Sequence, residues 1–298
     1  MKGFGTNEAG LIQVLAEVHP RDARALREAY NTSQRRDLIK DLKSETSGYF
    51  EDGLTGLARG PLDQDCHTVY EAIKGAGTKE SALNDVLLGR SNADMNAIKQ
   101  RYREIYRKPM ETDVKGDLSM KTEQLFDMVM AARRAEESAP VNPQSVETDV
   151  QALYFATEGK AGADQITVCQ ILSSRSNNQI RAIATAYQQK YHHSLDGVMK
   201  KEFTGHMQDA LVHMVRAGAD PAKNDADLLE DSMRGAGTKD TALVRRVLAV
   251  HWDLGRLQQT KGAYKHFHKQ ELSHRIQGET SGDYERLMVA CVNPRRTR

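Results

Sequence analysis

The chain has 298 residues, of which 39% are hydrophobic and 28% are charged, a balance typical of a folded globular protein and not of a disordered one. Lysine and arginine number 42 and aspartate and glutamate number 41, so the formal net charge is +1. A nearly neutral chain has no strong overall field that would attract nucleic acid, and an anionic membrane would have to be bound through a local device. We therefore expect no nucleic-acid partner.

The targeting signals and the cysteines predict a cytoplasmic protein. The first ten residues contain no apolar core of a signal peptide, and no apolar run reaches the roughly 18 residues that span a bilayer. Cys66, Cys169 and Cys291 are odd in number and far apart, which argues against a disulfide framework and against a CxxC metal site.

A glycine-containing segment occurs four times along the chain, and its copies end at Thr6, Thr78, Ala163 and Thr238. A tyrosine follows this position after 24 residues in the first three copies and after 26 in the fourth, which indicates a two-residue insertion, placed by us at 252–255. The four tyrosines are Tyr30, Tyr102, Tyr187 and Tyr264. An acid stands 15 residues after each tyrosine, and the four acids are Glu45, Asp117, Glu202 and Glu279. Four copies of such a pattern predict a repeat protein.

Within the repeats, the apolar residues follow a helical period, as at Leu11, Leu15 and Val18, and alternating strand-like runs are absent. The pattern predicts an all-α fold. One helix is expected before each glycine loop, at 66–73, 150–157 and 226–233, whereas the first repeat has none because the chain begins at its loop.

Prolines and polar stretches set the predicted organisation of the chain. The segment from about 134 to 148 lacks apolar periodicity and contains Pro140 and Pro143, so it is predicted to be a linker between two halves of two repeats each. The expected boundaries are repeat 1 at 1–60, repeat 2 at 61–133, the linker at 134–148, repeat 3 at 149–219 and repeat 4 at 220–298.

The glycine loop and the distant acid favour a calcium site. A Gly-x-Gly loop between two helices exposes backbone carbonyls, and a carboxylate from the same repeat can join them. Oxygen ligands of this kind suit Ca²⁺ better than Mg²⁺, which requires stricter geometry. Three carbonyls and a bidentate carboxylate give five oxygens, fewer than the roughly six to eight that calcium takes, so positions remain for an outside ligand.

The sequence resembles the annexin family over nearly its whole length. The family's Lys-Gly-x-Gly-Thr loop, with an acid 39 residues after the threonine, stands at 2–6 with Glu45 and at 74–78 with Asp117, and similar family-like stretches stand at 41–48 and 278–282. The resemblance implies a curved all-α disc of four repeats of about five helices each. It also implies reversible, calcium-dependent binding to phosphatidylserine-type anionic phospholipid. No pairing of a nucleophile with a base is visible in the sequence, so no enzymatic activity is expected.

The resemblance also implies the calcium ligands, which are the carbonyls of three loop residues and one acid in each repeat. In the first, second and fourth repeats they are Met1, Gly3, Gly5 and Glu45; Ile73, Gly75, Gly77 and Asp117; and Met233, Gly235, Gly237 and Glu279. The third repeat departs from the pattern, with lysine and glycine exchanged and alanine in place of threonine. If it binds calcium at all, its ligands would be Glu158, Lys160, Gly162 and Glu202. The second and fourth sites are expected to be the strongest.

Residues beside the loops are expected to contact lipid. Lys2, Lys74 and Arg234 would attract anionic headgroups. Phe4 occupies a loop tip, where its ring would either enter the lipid interface or pack against a neighbouring helix.

Two other loop motifs are excluded by the sequence, and two plainer interpretations are considered. A phosphate-binding P-loop is excluded because it requires Gly-Lys-Ser/Thr, whereas the order here is Gly-Thr-Lys, and no EF-hand run of acids is present. A single glycine loop would be explained by a plain helix–helix turn. The alternative to a calcium-dependent phospholipid-binding protein is a calcium-independent helical-repeat adaptor that binds protein partners.

Overall fold

The computed structural model describes residues 5–75, 77–118, 120–159 and 162–296. These residues form 19 α-helices and no β-strand, which confirms the all-α fold. The chain divides into two compact units, unit 1 comprising residues 1–64 and 225–298 and unit 2 comprising residues 65–224.

The helices fall into one group of four and three groups of five, and each group corresponds to one sequence repeat. Repeat 1 contains α1 (Glu8–Leu15), α2 (Ala23–Gln34), α3 (Leu38–Glu45) and α4 (Gly48–Arg59). Repeat 2 contains α5 (Pro61–Ile73), α6 (Glu80–Leu87), α7 (Asn92–Tyr106), α8 (Met110–Lys115) and α9 (Met120–Met130). Repeat 3 contains α10 (Pro143–Thr157), α11 (Gln165–Ser174), α12 (Asn177–Tyr191), α13 (Leu195–Glu202) and α14 (Gly205–Ala219). Repeat 4 contains α15 (Pro221–Met233), α16 (Asp240–His251), α17 (Leu254–His268), α18 (Leu272–Glu279) and α19 (Gly282–Val292).

The leading helices α5, α10 and α15 begin five to seven residues before the expected positions. Each starts at a proline, namely Pro61, Pro143 or Pro221. Proline is favoured at the first helical position, because its ring pre-sets the backbone angle and the N–H that it lacks would have no helical partner. In α10 the preceding Asn142 also accepts hydrogen bonds from the N–H groups of Gln144 and Ser145.

The predicted linker at 134–148 and the predicted halves require correction. Residues 143–148 belong to α10, and the whole segment lies inside unit 2, where Arg134 donates to the carbonyl of Arg175 (3.1 Å) and to Asn177 Oδ1 (2.7 Å). Repeats 2 and 3 therefore form one unit, and repeat 1 joins repeat 4 in the other. Burial of apolar helix faces, and not adjacency in the sequence, decides which repeats share a core.

Each unit has its own hydrophobic core. The core of unit 1 includes Leu42, Leu54, Val247, Tyr264 and Leu287, and the core of unit 2 includes Leu83, Tyr102, Phe126, Leu172 and Tyr187. The tyrosines are fully buried even though each carries a hydroxyl group. A buried hydroxyl needs a hydrogen-bond partner, and in both units this partner is a carboxylate close to a glycine loop.

Candidate calcium sites

In repeats 1 and 2 a threonine hydroxyl joins the glycine loop to the predicted acid. Thr6 Oγ1 donates to Glu45 Oε2 (2.9 Å) and lies 3.2 Å from the Glu45 carbonyl oxygen. Thr78 Oγ1 donates to the Asp117 carbonyl (2.6 Å) and lies 3.4 Å from Asp117 Oδ2. The structure thus brings together residues 39 positions apart and fixes each acid beside its loop.

Repeat 4 shows the same connection over a longer separation. Thr238 Oγ1 lies 3.2 Å from Glu279 Oε2 and 3.3 Å from the Glu279 carbonyl oxygen, although 41 residues separate the two. The additional residues lie before α17, where Asp253 accepts hydrogen bonds from the N–H groups of Gly255 (2.8 Å) and Arg256 (3.1 Å). The two-residue insertion therefore lies before α17, and the contact between the loop threonine and the acid is kept.

The local sequence after the acid explains why Glu45 and Glu279 end their helices. The next residue, Thr46 or Thr280, donates its hydroxyl to the carbonyl four residues earlier, at 2.7 Å in both cases. The backbone then becomes extended at this threonine, which ends α3 and α18. Glu45 and Glu279 are consequently presented at a helix terminus, whereas Asp117 lies two residues after the end of α8.

The loop glycines adopt left-handed backbone angles. The φ angles are 114° and 91° at Gly75 and Gly77, and 111° and 97° at Gly235 and Gly237. A Cβ atom added at any of these positions would meet no atom within 4 Å, so glycine is required for its backbone conformation and not for space. Gly5 shares this property, with a φ of 89°.

The donor set of repeats 1 and 2 fits calcium. Among the described residues no group of three or more His, Cys, Asp or Glu side chains is suited to a metal, so a cation at a loop would be held mainly by carbonyls and one carboxylate. Within the described part of the chain, neither Glu45 nor Asp117 forms an ion pair with a lysine or arginine. An all-oxygen set with one free carboxylate is appropriate for a hard cation such as Ca²⁺.

Repeat 4 differs, because an arginine forms an ion pair with its acid. Arg275, one helical turn before Glu279 on α18, forms an ion pair with the Glu279 carboxylate. Its Nη2 also donates to the carbonyl oxygen of Met233 (2.7 Å), which is one of the predicted ligands. The acid and the loop carbonyl are therefore joined through the Arg275 guanidinium, which contacts both of them.

The loop of repeat 3 is one residue longer than its counterparts. The N–H after the loop reaches back seven residues in repeat 2, from Lys79 to the Ala72 carbonyl, but eight residues in repeat 3, from Asp164 to the Ala156 carbonyl. The sequence pattern was therefore interpreted wrongly as an exchange of lysine and glycine, and Glu158 stands one position beyond the counterpart of Ile73.

The side chains of repeat 3 are also engaged elsewhere. Glu158 accepts a hydrogen bond from Tyr187 (2.8 Å) and pairs with His193 (2.6 Å). Burial alone would raise the pKa of Glu158, but the hydrogen bonds from His193 and Tyr187 outweigh burial and hold this pKa below its ordinary value. Glu202 lies 3.3 Å from the ammonium of Lys201, and Ala163 has no hydroxyl with which to bind Glu202. Gly162 keeps a positive φ of 81°.

The remaining predicted residues either lie outside the described part of the chain or are exposed beside a loop. Met1, Lys2, Gly3, Phe4 and Lys160 lie outside the described residues. Lys74 and Arg234 are both exposed beside their loops, and Lys74 Nζ lies 3.6 Å from Glu71 and 5.6 Å from the centre of the Tyr70 ring.

The recurring tyrosines support the sites from behind, a role that the sequence analysis did not identify. All four hydroxyls contact a carboxylate, and the pairs are Tyr30–Asp41 (2.8 Å), Tyr102–Asp113 (3.0 Å), Tyr187–Glu158 (2.8 Å) and Tyr264–Glu230. Burial, followed by the hydrogen bond to the acid, raises the pKa of each tyrosine above its ordinary value. The hydroxyls therefore remain protonated donors. The constant spacing of 15 residues does not reveal this role, because the acids that the tyrosines contact lie 11 residues after them in repeats 1 and 2, and 29 and 34 residues before them in repeats 3 and 4.

The comparison with protein families agrees with the repeat pattern. The annexin family model matches residues 1–57, 64–128, 148–214 and 224–291. The chain belongs to the annexin family. Members of this family generally bind phospholipid in a calcium-dependent manner and are not enzymes in general.

Similar annexins come from distant organisms. The chain is 38% identical to annexin C1 of Cryptococcus neoformans over 98% of its own length and 62% of that protein. Against annexin A7 of Dictyostelium discoideum it is 36% identical, over 98% of its length and 63% of that protein. Against human annexin A13 it is 33% identical, over 98% and 92% of the two chains. The chain thus spans less than two thirds of the first two relatives.

Solved annexin structures share the fold. Annexin III superimposes with a TM-score of 0.91 at 28% identity, covering 98% of this chain and 89% of that chain. A calcium-bound annexin (Sm)1 superimposes with a TM-score of 0.83 at 25% identity, covering 98% and 86%. Among the described residues, no helix of this annexin is both long enough and apolar enough to cross a membrane.

Proposed function

We propose that this annexin binds anionic phospholipid in a calcium-dependent manner, mainly through the loops of repeats 1 and 2. The observation that carries the proposal is the contact of a loop threonine hydroxyl with an acidic residue 39 positions later in both repeats. The hydroxyl donates to the Glu45 carboxylate in repeat 1, and in repeat 2 it donates to the Asp117 carbonyl and lies 3.4 Å from the Asp117 carboxylate. Each contact holds an acidic residue beside a glycine loop, and open space surrounds the loop glycines Gly5, Gly75 and Gly77. This is the arrangement that a peripheral cation site requires.

The residues that would hold calcium in repeat 2 are Ile73, Gly75 and Gly77 through their carbonyls and Asp117 through its carboxylate. Gly5 and Glu45 have the same roles in repeat 1, together with Met1 and Gly3. When bound, Ca²⁺ supplies a positive charge and open coordination positions for a phosphate or carboxylate oxygen of a lipid headgroup. Thr6 and Thr78 orient the acids, and the exposed Lys74 adds attraction for an anionic surface.

One carboxylate per loop predicts weak calcium binding in the absence of lipid, because affinity follows the number of charged ligands. A lipid headgroup at the same loop would add the missing negative charge. Calcium affinity and lipid affinity must then increase each other by the same factor. Two such loops on one chain further strengthen binding to a surface that offers many headgroups.

Sedimentation with phospholipid vesicles tests the proposal. The chain is expected to pellet with phosphatidylserine vesicles in calcium, to remain in the supernatant with phosphatidylcholine vesicles, and to be released by chelator. The double variant Glu45→Gln with Asp117→Asn should lose most of this binding. Glu28→Gln is the matched control, since Glu28 is an exposed acid on α2 that pairs with Arg24. Equal pelleting in calcium and in chelator would contradict the proposal and favour the calcium-independent adaptor.

A further inference from the structure

A side chain of α18 places a positive charge beside the repeat 4 loop. The Arg275 guanidinium contacts three oxygen-bearing groups: Nη1 pairs with the Glu279 carboxylate, Nη2 donates to the Met233 carbonyl (2.7 Å), and Nε lies 3.3 Å from Glu230 Oε2. Two of these groups are the acid and the first loop carbonyl that the sequence pattern assigns to calcium. The guanidinium thus bridges the two parts of the repeat that a bound calcium ion would bridge.

The other repeats have no such residue at this place. The position four residues before the acid is Asp41 in repeat 1, Asp113 in repeat 2 and Val198 in repeat 3. Asp41 and Asp113 accept a hydrogen bond from the tyrosine of their own repeat, at 2.8 and 3.0 Å. A positively charged side chain at this position is therefore particular to repeat 4.

The surroundings make the arginine contact strong. The side chains of Arg275 and Glu279 are only 20% and 23% exposed, so water screens their attraction less than at an open surface. The guanidinium keeps its charge at all physiological pH values and satisfies several acceptors at once with its fixed fork of N–H groups. Glu230, which also accepts from Tyr264, adds a second negative charge to the cluster.

Calcium and Arg275 compete for the same atoms. A calcium ion at this loop would need the Glu279 carboxylate and the Met233 carbonyl, both of which already accept hydrogen bonds from the guanidinium. Two positive charges at one carboxylate repel each other, so calcium would have to displace the side chain and leave it without its partners.

We propose that Arg275 is the resident cation of repeat 4, which joins the loop to its acid without calcium and keeps calcium out. The fourth loop, expected from its sequence to be one of the two strongest calcium sites, is then permanently closed by a protein side chain. This inference rests on the proposed function only in taking the annexin loops as calcium sites. It predicts that removal of one positive charge creates a site.

The experiment counts calcium bound per chain by equilibrium dialysis in the presence of phosphatidylserine vesicles. The parent is the full chain carrying Glu45→Gln and Asp117→Asn, so that repeats 1 and 2 do not contribute. Adding Arg275→Met should raise the number of ions bound by one per chain, whereas adding Arg275→Lys, which keeps a cation, should not raise it. Arg275→Gln is a second neutral variant in case Arg275→Met fails to fold.

A second measurement does not need bound calcium. In chelator, and in the same Glu45→Gln, Asp117→Asn background, Arg275→Met should lower the midpoint of thermal unfolding, because Glu279 and Glu230 lose their partner. Calcium should restore stability in the neutral Arg275 variants but not in the Arg275-containing parent. The inference is overturned if the Arg275-containing parent binds calcium as well as the neutral variants do, or if neither neutral variant gains an ion. A wild-type chain that binds no calcium, beside an Arg275→Met variant that binds one ion, would contradict the proposed function but support the inference.

Discussion

At the scale of single residues, one hydroxyl group decides whether an acid is held at its loop. Thr78 donates to the Asp117 carbonyl at 2.6 Å, and its hydroxyl oxygen also lies 3.4 Å from the Asp117 carboxylate. In repeat 3 the corresponding residue is Ala163, and the nearby Glu202 pairs with Lys201 instead. The threonine is therefore part of the site although it is not a ligand.

Thr78→Val removes the hydroxyl and keeps the shape of the side chain. We expect the calcium concentration for half-maximal binding to phosphatidylserine vesicles to rise about tenfold, as is typical when a group that orients a metal ligand is lost. The far-ultraviolet circular dichroism should not change. Thr112→Val, at an exposed position on α8, is the control and should bind like the wild type. An unchanged calcium requirement in Thr78→Val would show that the hydrogen bond does not position the acid.

The sequence predicted the acids but not the groups that surround them. Glu45 and Asp117 were found because their distance from the loop is constant, and a constant distance in a repeat reflects a constant fold. The contact of Arg275 with the Met233 carbonyl joins the end of α15 to α18 and depends on packing over 42 residues. The sequence alone shows only that a positive charge, Arg275, stands four residues before Glu279.

At the scale of elements, helix termini were the least predictable feature. Apolar periodicity marks only the buried part of a helix, so the polar first turns at 61–65, 143–149 and 221–225 were missed. Their prolines indicated the true starts, since proline at the first helical position is a recognised signal. The glycine loops of repeats 2 and 4, in contrast, lie between helices as predicted, and their glycines have positive φ angles that other residues rarely adopt.

The loop glycines provide a prediction with an internal control. Gly77→Ala forces a side chain into a left-handed conformation (φ 91°), which should lower the free energy of unfolding by about 1 to 2 kcal/mol. Gly262→Ala, in the middle of α17 at an exposed position with open space around it, should raise stability by up to about 1 kcal/mol. Urea unfolding of the two variants checks both signs. Equal effects would indicate that the loop backbone relaxes around the new side chain.

At the scale of the whole molecule, the two units are stabilised by separate cores. The order of repeats along the chain suggested halves made of repeats 1–2 and 3–4, whereas the cores combine repeat 1 with repeat 4 and repeat 2 with repeat 3. A single sequence shows which helix faces are apolar but not which distant faces they contact. The pairing of repeat 1 with repeat 4 and of repeat 2 with repeat 3 therefore cannot be predicted from it.

The core of unit 1 contains a histidine that makes its stability depend on pH. His251 is fully buried, and its Nδ1 lies 2.8 Å from the Cys291 carbonyl oxygen. Burial, together with the nearby charge of Arg296, lowers the pKa of His251 from 6.5 to about 4, against the opposing influence of the Cys291 hydrogen bond and Glu17. The imidazole is therefore neutral in the folded chain at physiological pH.

The sign of the pH effect follows from proton binding. Between pH 6.5 and about 4 the unfolded chain holds a proton on His251 that the folded chain does not hold. The stability from this residue is thus complete above pH 6.5 and falls as the pH decreases, by about 3 kcal/mol over the whole window. The loss should begin in unit 1, because the core of unit 2 lies elsewhere in the chain.

His251→Asn keeps a donor for the Cys291 carbonyl but cannot take up a proton, so it should reduce the loss of stability between pH 7 and pH 5. Hydrogen exchange read by mass spectrometry, corrected for the intrinsic effect of pH, should show acid-induced opening of peptides from unit 1 in the wild type and less opening in this variant. His274→Asn, at an exposed position on α18, should behave like the wild type. If wild type and His251→Asn lost protection equally on acidification, the proton would have to bind elsewhere, and the carboxylates that pair with arginine and lysine throughout both units would be the groups responsible.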